Sequence, residues 1–314
     1  MPTLRQAVDD SLAMRRHRGL QWREAGKALP DCVAFLEHHH APYITQPLAL
    51  AWAQQPASAQ PAPWAQRLSY VRGFARSRRA SDPRTQIPAP GLLPFHPKRA
   101  RPSLYSHQAI AAFLEAARHM PPRYHSGAVL PWVSYGVCGL LRVTGLWLGA
   151  ALHLALDDGD LTTAMLTVRG AKCGKTRLVP LHASTCQVLA AYLARRQRHW
   201  AERPVSASVF VSSWGNRLDG GQVHRALYRL SRQIGRRGAA DRRGPRLHDL
   251  RHRCATHTLG HWYRCAQDPT RRLPLVSASL GHVHVADTQW YVEASPALMR
   301  EAMCRLEQGW EDRP

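Results

Sequence analysis

Residues 248–252 of the chain read His-Asp-Leu-Arg-His, residues 280–282 read Leu-Gly-His, and Tyr291 follows nine positions later. A separation of three residues places His248 and Arg251 on one face of a helix, where both side chains can donate to a single anion. A tyrosine titrates near pKa ~10 and needs cationic donors nearby before it can act as a nucleophile at neutral pH. The pattern therefore predicts a site that holds a phosphate beside a phenol.

The charge of the chain favours a polyanionic partner. Its 314 residues include 43 Lys and Arg against 21 Asp and Glu, a net charge of +22. Such a field is typical of proteins that bind nucleic acid or an anionic membrane surface. No apolar run approaches the roughly 20 residues of a membrane span, and residues 1–20 are too charged for a signal peptide. Only four of the basic residues are lysine, so part of the positive charge reflects a general preference for arginine. The motifs are therefore stronger evidence for the partner than the net charge is.

The cysteines and histidines indicate neither disulfides nor a metal. Seven cysteines is an odd number, and no C-x-x-C pair occurs, which predicts reduced thiols in a cytoplasmic protein. The run His38-His-His40 has no Cys or His partners at the spacing of a zinc finger, so we expect no metal there.

A proline-rich stretch divides the chain into two predicted domains, as its length also suggests. Residues 83–103 contain six prolines and several basic residues, a composition that neither a helix interior nor a central strand tolerates. We interpret this stretch as an extended basic linker. Residues 1–82 are predicted to form a small helical bundle with a basic face, and residues 104–314 a second, mixed domain. The expected fold class is mainly α with a small β-hairpin (α+β).

Local signals place the main elements. Thr3 begins a capping box for the first helix, a second helix covers 22–37 with Pro30 starting or kinking its second half, and Ser106 caps a helix after the linker. Residues 165–169 and 176–181 alternate around a glycine-containing turn and predict a hairpin. Further helices are predicted at 45–52, 64–79, 126–141, 183–200, 220–234, 248–259 and 296–306.

The chain resembles a known family, the tyrosine site-specific recombinases or phage-type integrases. The His-x-x-Arg, Leu-Gly-His and Tyr motifs fall in the family's order and at its separations, and the resemblance covers nearly the whole chain. It implies a helical core-binding domain for 1–82, a linker for 83–103 and a catalytic domain for 104–314. The chain looks closest to recombinases that occur as tandem trios in bacterial mobile elements, judging by Trp262-Tyr-Arg264, Arg272-Leu-Pro-Leu275 and Trp290-Tyr291.

The resemblance also implies roles for individual residues. Tyr291 would attack a DNA backbone phosphate, giving a 3′-phosphotyrosyl link and a free 5′ hydroxyl. Arg251 and His248 would neutralise the nonbridging oxygens, and His282 would add a further phosphate contact. Because the phosphodiester energy is kept in the tyrosyl bond, the reaction needs no metal and no nucleotide cofactor.

The predicted hairpin carries one more catalytic candidate. Residues 172–180 match the family's Lys-x-x-Lys-x-Arg-x-x-Pro pattern, and Lys172 is the position expected to protonate the departing 5′ oxygen. Two of the four lysines of the chain lie here, although a preference for arginine prevails elsewhere.

Double-stranded DNA is the expected partner. Ten arginines lie between Arg225 and Arg253 against two aspartates, a density that indicates a duplex backbone. The family implies a homo- or hetero-tetramer on two duplexes, in the bacterial cytoplasm near the nucleoid. The residues predicted to contact DNA are Arg72, Arg76, Lys98, Arg99, Lys175, Arg177, Arg225 and Arg229.

One position departs from the family pattern. Trp147 stands where the first catalytic arginine is expected after Thr-Gly-Leu, and Ala150 stands where an acidic residue is expected. Arg142 does not replace it, because it lies roughly 140° away around a continuous helix. Loss of one preorganised donor is expected to cost on the order of 10²–10³ in rate. Two interpretations stay open: an impaired recombinase, or a catalytically inactive DNA-binding partner subunit of an active recombinase complex. A plain transcriptional regulator explains neither Tyr291 nor the lysine hairpin.

Overall fold

The computed structural model describes residues 2–18, 22–55, 61–93, 105–121, 129–170, 176–238, 241, 244–265, 269–293 and 295–311. The chain forms two compact units, an amino-terminal one that ends at Ala100 and a carboxy-terminal one that begins at Arg101. Each unit has a buried apolar core of its own. The described residues are mainly helical with a small antiparallel sheet, which confirms the predicted fold class.

In the described residues of the amino-terminal unit, four helices pack around the core: α1 (Leu4–His17), α2 (Arg23–His38), α3 (Gln46–Gln54) and α4 (Pro61–Arg78). The predicted capping box starts α1, because the Gln6 amide donates to Thr3 Oγ1 at 3.2 Å and the Thr3 amide donates to the Gln6 side chain at 3.0 Å. α2 is one continuous helix with Pro30 inside it, so Pro30 does not begin a new helix. The indole of Trp52 is fully buried and anchors α3 in the core.

The described part of the predicted linker packs against this same unit. Leu93 belongs to the amino-terminal core. Arg72 on α4 donates to the carbonyls of Pro88 and Ala89 at 2.7 and 2.8 Å. Apolar side chains in residues 85–93 thus bury against the bundle, and the prolines are accommodated because their segment forms neither helix nor strand. The rest of the predicted linker, with Lys98 and Arg99, lies outside the described residues.

The carboxy-terminal unit combines helices with a small sheet. None of the helices in the described part of the chain is long and apolar enough to cross a bilayer. The helices of this unit are α5 (His107–Arg118), α6 (Leu130–Thr144), α7 (Leu148–Leu152), α8 (Ala183–Trp200), α9 (Gly220–Gln233), α10 (Leu247–Arg264), α11 (Pro269–Leu280), α12 (Ala286–Glu293) and α13 (Pro296–Glu311).

The predicted hairpin is present as two antiparallel strands, β2 (Met165–Val168) and β3 (Arg177–Pro180), in which Met165 pairs with Pro180 and Val168 with Arg177. A two-residue strand, β1 (Gly159–Asp160), adds to the free edge of β2. Two residues are too few to show an alternating pattern, so the sequence did not predict β1.

Helix α10 is the centre of the carboxy-terminal unit. It packs against α6 on one side and against α11, α12 and α13 on the others. Leu250 and Leu259 on α10 are buried in this packing. Side chains of α10 therefore meet residues from the end of α6 and from α12, and this meeting point is where the predicted site lies.

Candidate active site

Arg251 is buried at the centre of the site, with 1% of its surface exposed. Its Nη1 donates to the carbonyl of Gly145 at 2.5 Å, its Nη2 to Nε2 of His282 at 2.7 Å, and its Nε to the hydroxyl of Tyr291 at 3.3 Å. The planar guanidinium offers several donors in fixed directions. One side chain of α10 thereby brings together three of the sequence motifs.

His282 is held between Arg251 and Tyr291. Its ring stacks on that of Tyr291, with centroids 5.8 Å apart and planes 15° from parallel. Its Nδ1 lies 2.6 Å from Oγ1 of Thr288. Because Nε2 accepts from Arg251, the proton belongs on Nδ1, which donates to Thr288. Burial, followed by the charge of Arg251, lowers the pKa of His282 to about 4, so the ring is neutral at pH 7.

Tyr291, the predicted nucleophile, lies on α12 and is itself buried, with 3% of its surface exposed. Its hydroxyl is within reach of Arg251, the first requirement for activating a phenol as a nucleophile.

Trp147 lies in the site and contacts two of the three predicted phosphate ligands, His248 and Arg251. Its indole stacks on the ring of His248, with centroids 4.7 Å apart and planes 17° from parallel. Cζ of Arg251 lies 4.8 Å from the centre of the indole. Burial, with Arg251 and Arg246 as further causes, lowers the pKa of His248. Trp147 remains 47% exposed, so solvent reaches about half of the side chain.

His252 is a site residue that the sequence reasoning missed. It is 3% exposed, and its ring contacts those of His248, Trp290 and Tyr291 at centroid distances of 4.5, 4.9 and 5.0 Å. Burial, followed by His248, lowers its pKa to about 3. The signal was present in the sequence, since the second histidine of the His-Asp-Leu-Arg-His run is also an apolar-face position of α10.

Two glycine turns hold the parts of the site in place. Gly145 ends α6 with a φ of +62°, and a Cβ there would lie 2.6 Å from Cδ2 of Leu280. Gly281, within the Leu-Gly-His motif, has a φ of +74°, and a Cβ there would overlap the guanidinium of Arg177. Left-handed backbone and close contact together explain why glycine stands at both positions.

Arg177 connects the sheet to the site. Its Nε donates to the carbonyl of Ser279 at 3.1 Å, next to the Leu-Gly-His motif. Burial, followed by the charge of Arg251, lowers its pKa. The predicted Lys172 and Lys175 lie outside the described residues. β3 nevertheless reaches the site through Arg177.

Among the other predicted DNA contacts, Arg225 is exposed and Arg229 is half-buried. Arg225 and Arg229 on α9, together with Tyr228 and Arg232, line an open groove of about 450 Å³ that we call the α9 groove. In the amino-terminal unit Arg76 is exposed, whereas the guanidinium of Arg72 is engaged by the backbone carbonyls described above.

Comparison with known proteins identifies the family. Residues 106–297 match the phage integrase family. The protein named "Putative integrase/recombinase y4rB" of Sinorhizobium fredii is 58% identical over 313 residues, which covers all of both chains. Tyrosine recombinase XerD of Mycobacterium tuberculosis is 30% identical over 238 residues, 76% of this chain and 71% of that protein.

Solved structures share the fold. The Tn1549 transposon integrase in complex with a circular intermediate DNA has a TM-score of 0.65 at 14% identity, covering 98% of this chain and 100% of that one. The XerH site-specific recombinase bound to its difH substrate has a TM-score of 0.62 at 17% identity, covering 96% and 84%. The chain belongs to the phage integrase family and is a tyrosine recombinase, an enzyme of DNA recombination.

Proposed function

We propose that this recombinase cleaves and rejoins DNA strands with Tyr291 as the nucleophile and with Arg251, His248 and His282 as ligands of the scissile phosphate. The observation that carries the proposal is the contact of the buried Arg251 guanidinium with both the Tyr291 hydroxyl and His282. A buried guanidinium stabilises developing negative charge far better than an exposed one, since it acts in a low dielectric and is already oriented.

The chemistry follows from this geometry. As the Tyr291 oxygen attacks the phosphorus, its phenolic proton passes to water, the bond from phosphorus to the 5′ oxygen breaks, and Lys172 supplies the proton that the leaving oxygen takes. The Nε and Nη2 atoms of Arg251 donate to Tyr291 and His282. When a DNA phosphate enters the site, its oxygens accept from these two nitrogens instead. In the second step the 5′ hydroxyl of another strand attacks the phosphotyrosine and releases Tyr291. Each step exchanges one phosphoester bond for another, and hence no energy source is required.

DNA is the polyanion that the rest of the surface fits. We assign phosphate contacts to Arg225 and Arg229 in the α9 groove and to Arg76 in the amino-terminal unit. The XerH recombinase and the Tn1549 transposon integrase, which share this fold, were solved in complex with DNA. These complexes support DNA as the partner of this chain. Lys98, Arg99 and Lys175 are assigned to DNA on sequence grounds. The sequence also predicted Arg72 and Arg177 as DNA contacts, but their guanidinium groups donate to backbone carbonyls.

The biological setting is proposed from the relatives. An integrase/recombinase homologue along the whole chain and a transposon integrase of the same fold favour the DNA of a mobile element as substrate. The enzyme would act in the bacterial cytoplasm on the nucleoid, as a homo- or hetero-tetramer with related recombinases.

A second function is favoured by one observation, the tryptophan at position 147. A chain without the first catalytic arginine would serve an active recombinase complex as a DNA-binding subunit that forms no covalent intermediate. Both functions require DNA binding, so only a covalent adduct separates them.

The test uses the purified chain and a supercoiled plasmid that carries the DNA flanking its gene. After a detergent quench, protein linked to a DNA 3′ phosphate is expected for the natural chain and for Tyr263→Phe, a matched control on α10, but not for Tyr291→Phe. An adduct that persists in Tyr291→Phe would contradict the assignment of the nucleophile. Binding without an adduct in all three chains would favour the partner-subunit function.

A further inference from the structure

We propose that Trp147 is a positioning residue of this site, whose indole holds Arg251 and His248 in the arrangement that receives the phosphate. The inference rests on the proposed cleavage at Tyr291 for its kinetic consequence, while its structural consequence can be measured without DNA. We thus assign Trp147 a function of its own in this chain. The family pattern alone indicates only that a catalytic arginine is missing at this position.

The segment that carries Trp147 is fixed by its backbone. Thr144 accepts from the amide of Leu146 at 3.3 Å, and its hydroxyl donates to the carbonyl of Leu140 at 2.6 Å. The left-handed turn at Gly145 follows, and Trp147 then occupies the N-cap of α7. The Gly145 carbonyl and the Trp147 ring both reach the guanidinium of Arg251. The residues that follow α6 thus make two contacts with the Arg251 guanidinium. The first is through the Gly145 carbonyl and the second is through the Trp147 indole.

The indole offers each of its two neighbours a suitable contact. A flat aromatic ring attracts a guanidinium above its face, and this attraction strengthens when water is excluded, as it is around Arg251. The near-parallel stack with His248 fixes the plane of the imidazole, and His252 supports the same ring from another side at 4.5 Å. Two of the proposed phosphate ligands are therefore oriented by one side chain.

The surrounding charges favour a neutral residue at this position. Burial lowers the pKa of Arg177, and the charge of Arg251 lowers it further, so two cations already face each other at this site. Asp249, the nearest acidic residue along α10, is fully buried in an ion pair with Arg246 at 3.0 Å. Position 150 is alanine. An arginine at 147 would add a cation beside Arg251, and position 150 offers it no carboxylate. Trp147 and Ala150 are therefore a matched pair of neutral residues, and Trp147→Arg alone is not expected to restore a stronger site.

The first test measures the site in the absence of DNA. In an NMR titration of the histidine rings, with His248→Gln to assign the His248 signal, Trp147→Ala is expected to raise the pKa of His248 towards its ordinary value. Burial is the largest cause of the lowered pKa, and the stacked indole covers the imidazole. Trp147→Phe, which keeps an aromatic face, should show a smaller rise. A His248 signal with the same shift and the same pKa in Trp147→Ala would overturn the inference.

The second test measures the rate of adduct formation at saturating concentrations of the same plasmid DNA. Trp147→Ala is expected to slow the reaction on the order of 10²-fold, as a misplacement of about 1 Å does, without changing the concentration for half-saturation. Trp147→Phe should recover most of that rate, and Trp147→Arg should give no gain over the natural chain. Trp214→Ala, which removes a tryptophan that is 76% exposed in the same unit, is the matched control.

The outcomes separate the two proposals. A gain in rate for Trp147→Arg, or a Trp147→Ala chain as fast as the natural one, would overturn the positioning function. If no chain forms an adduct but the pKa of His248 responds to Trp147→Ala as expected, the proposed cleavage fails and the positioning of His248 stands.

Discussion

The carboxy-terminal unit contains two basic regions that use arginine in opposite ways. At the site, Arg251 is buried and each of three partners accepts from one of its nitrogens. In the α9 groove, Arg225 is exposed. A buried charge interacts strongly with its few neighbours and lowers the pKa of the histidines around it, whereas an exposed charge is screened by salt. The first arrangement is suited to transition-state stabilisation and the second to affinity for a polyanion.

The largest effect that this comparison predicts comes from Arg251→Lys. Lysine keeps the charge but lacks the planar fork that reaches Gly145, His282 and Tyr291 together. We expect adduct formation at saturating DNA to slow on the order of 10²–10³-fold, as when one preorganised donor is removed. Single-turnover kinetics measure this rate. A loss of less than about tenfold would mean that the simultaneous contacts of the Arg251 guanidinium with Gly145, His282 and Tyr291 are not what drives the chemistry.

An intermediate effect is expected from Arg225→Ala combined with Arg229→Ala. Removal of two phosphate contacts should weaken DNA binding and reduce the slope of log affinity against log salt by roughly 0.9 per lost contact. The rate of adduct formation at saturating DNA should change little. Fluorescence anisotropy at several salt concentrations measures the slope.

The matched control for the groove removes the same charge from another helix. Arg195→Ala with Arg198→Ala takes two exposed arginines from α8 and should leave the slope near that of the natural chain. Equal slopes for both double variants would show that net charge, and not the α9 groove, sets the affinity.

The smallest effect concerns stability and pH. The pKa of His252 is lowered to about 3 and that of His282 to about 4, below the value of about 6.5 in an unfolded chain. The unfolded state therefore binds more protons as the pH falls below about 6.5, and the stability present above that pH is lost towards the folded-state pKa values. Each such histidine should lower the free energy of unfolding by up to about 1.4 kcal/mol per pH unit in this window.

Denaturant unfolding between pH 6.5 and 4.5 tests this prediction by comparing variants. His252→Gln should flatten the pH dependence, because one buried neutral imidazole is removed. His224→Gln, at an exposed position on α9, should leave the pH dependence unchanged. The same steepness in the natural chain and in His252→Gln would show that burial of His252 does not affect the pH dependence of stability.

The features that could be predicted from the sequence are those that depend on local spacing. The three-residue offset of His248 and Arg251, the caps at Thr3 and Ser106, and the alternation in β2 are set by neighbouring residues, and the structure contains all of these local arrangements. The family motifs added Tyr291 and His282, which no local rule relates to Arg251.

The features that sequence reasoning missed depend on packing between distant segments. The stack of Trp147 on His248 exists because the Gly145 turn brings the end of α6 against α10. The capture of Arg72 by backbone carbonyls requires residues 85–93 to fold back on α4. Likewise, α12 has almost no amphipathic pattern, with only Thr288 and Tyr291 buried among its described side chains. Its residues therefore show no periodicity from which a helix could be predicted.

The most direct test of the account is to identify the residue that carries the DNA. The covalent complex formed on the plasmid would be digested with nuclease and trypsin, and the modified peptide sequenced by mass spectrometry. We expect a nucleotide attached through its 3′ phosphate to Tyr291, and no such peptide from Arg251→Lys at short reaction times. A nucleotide on any other residue, or a 5′ linkage, would contradict the claim that Arg251 and Tyr291 form the reaction centre.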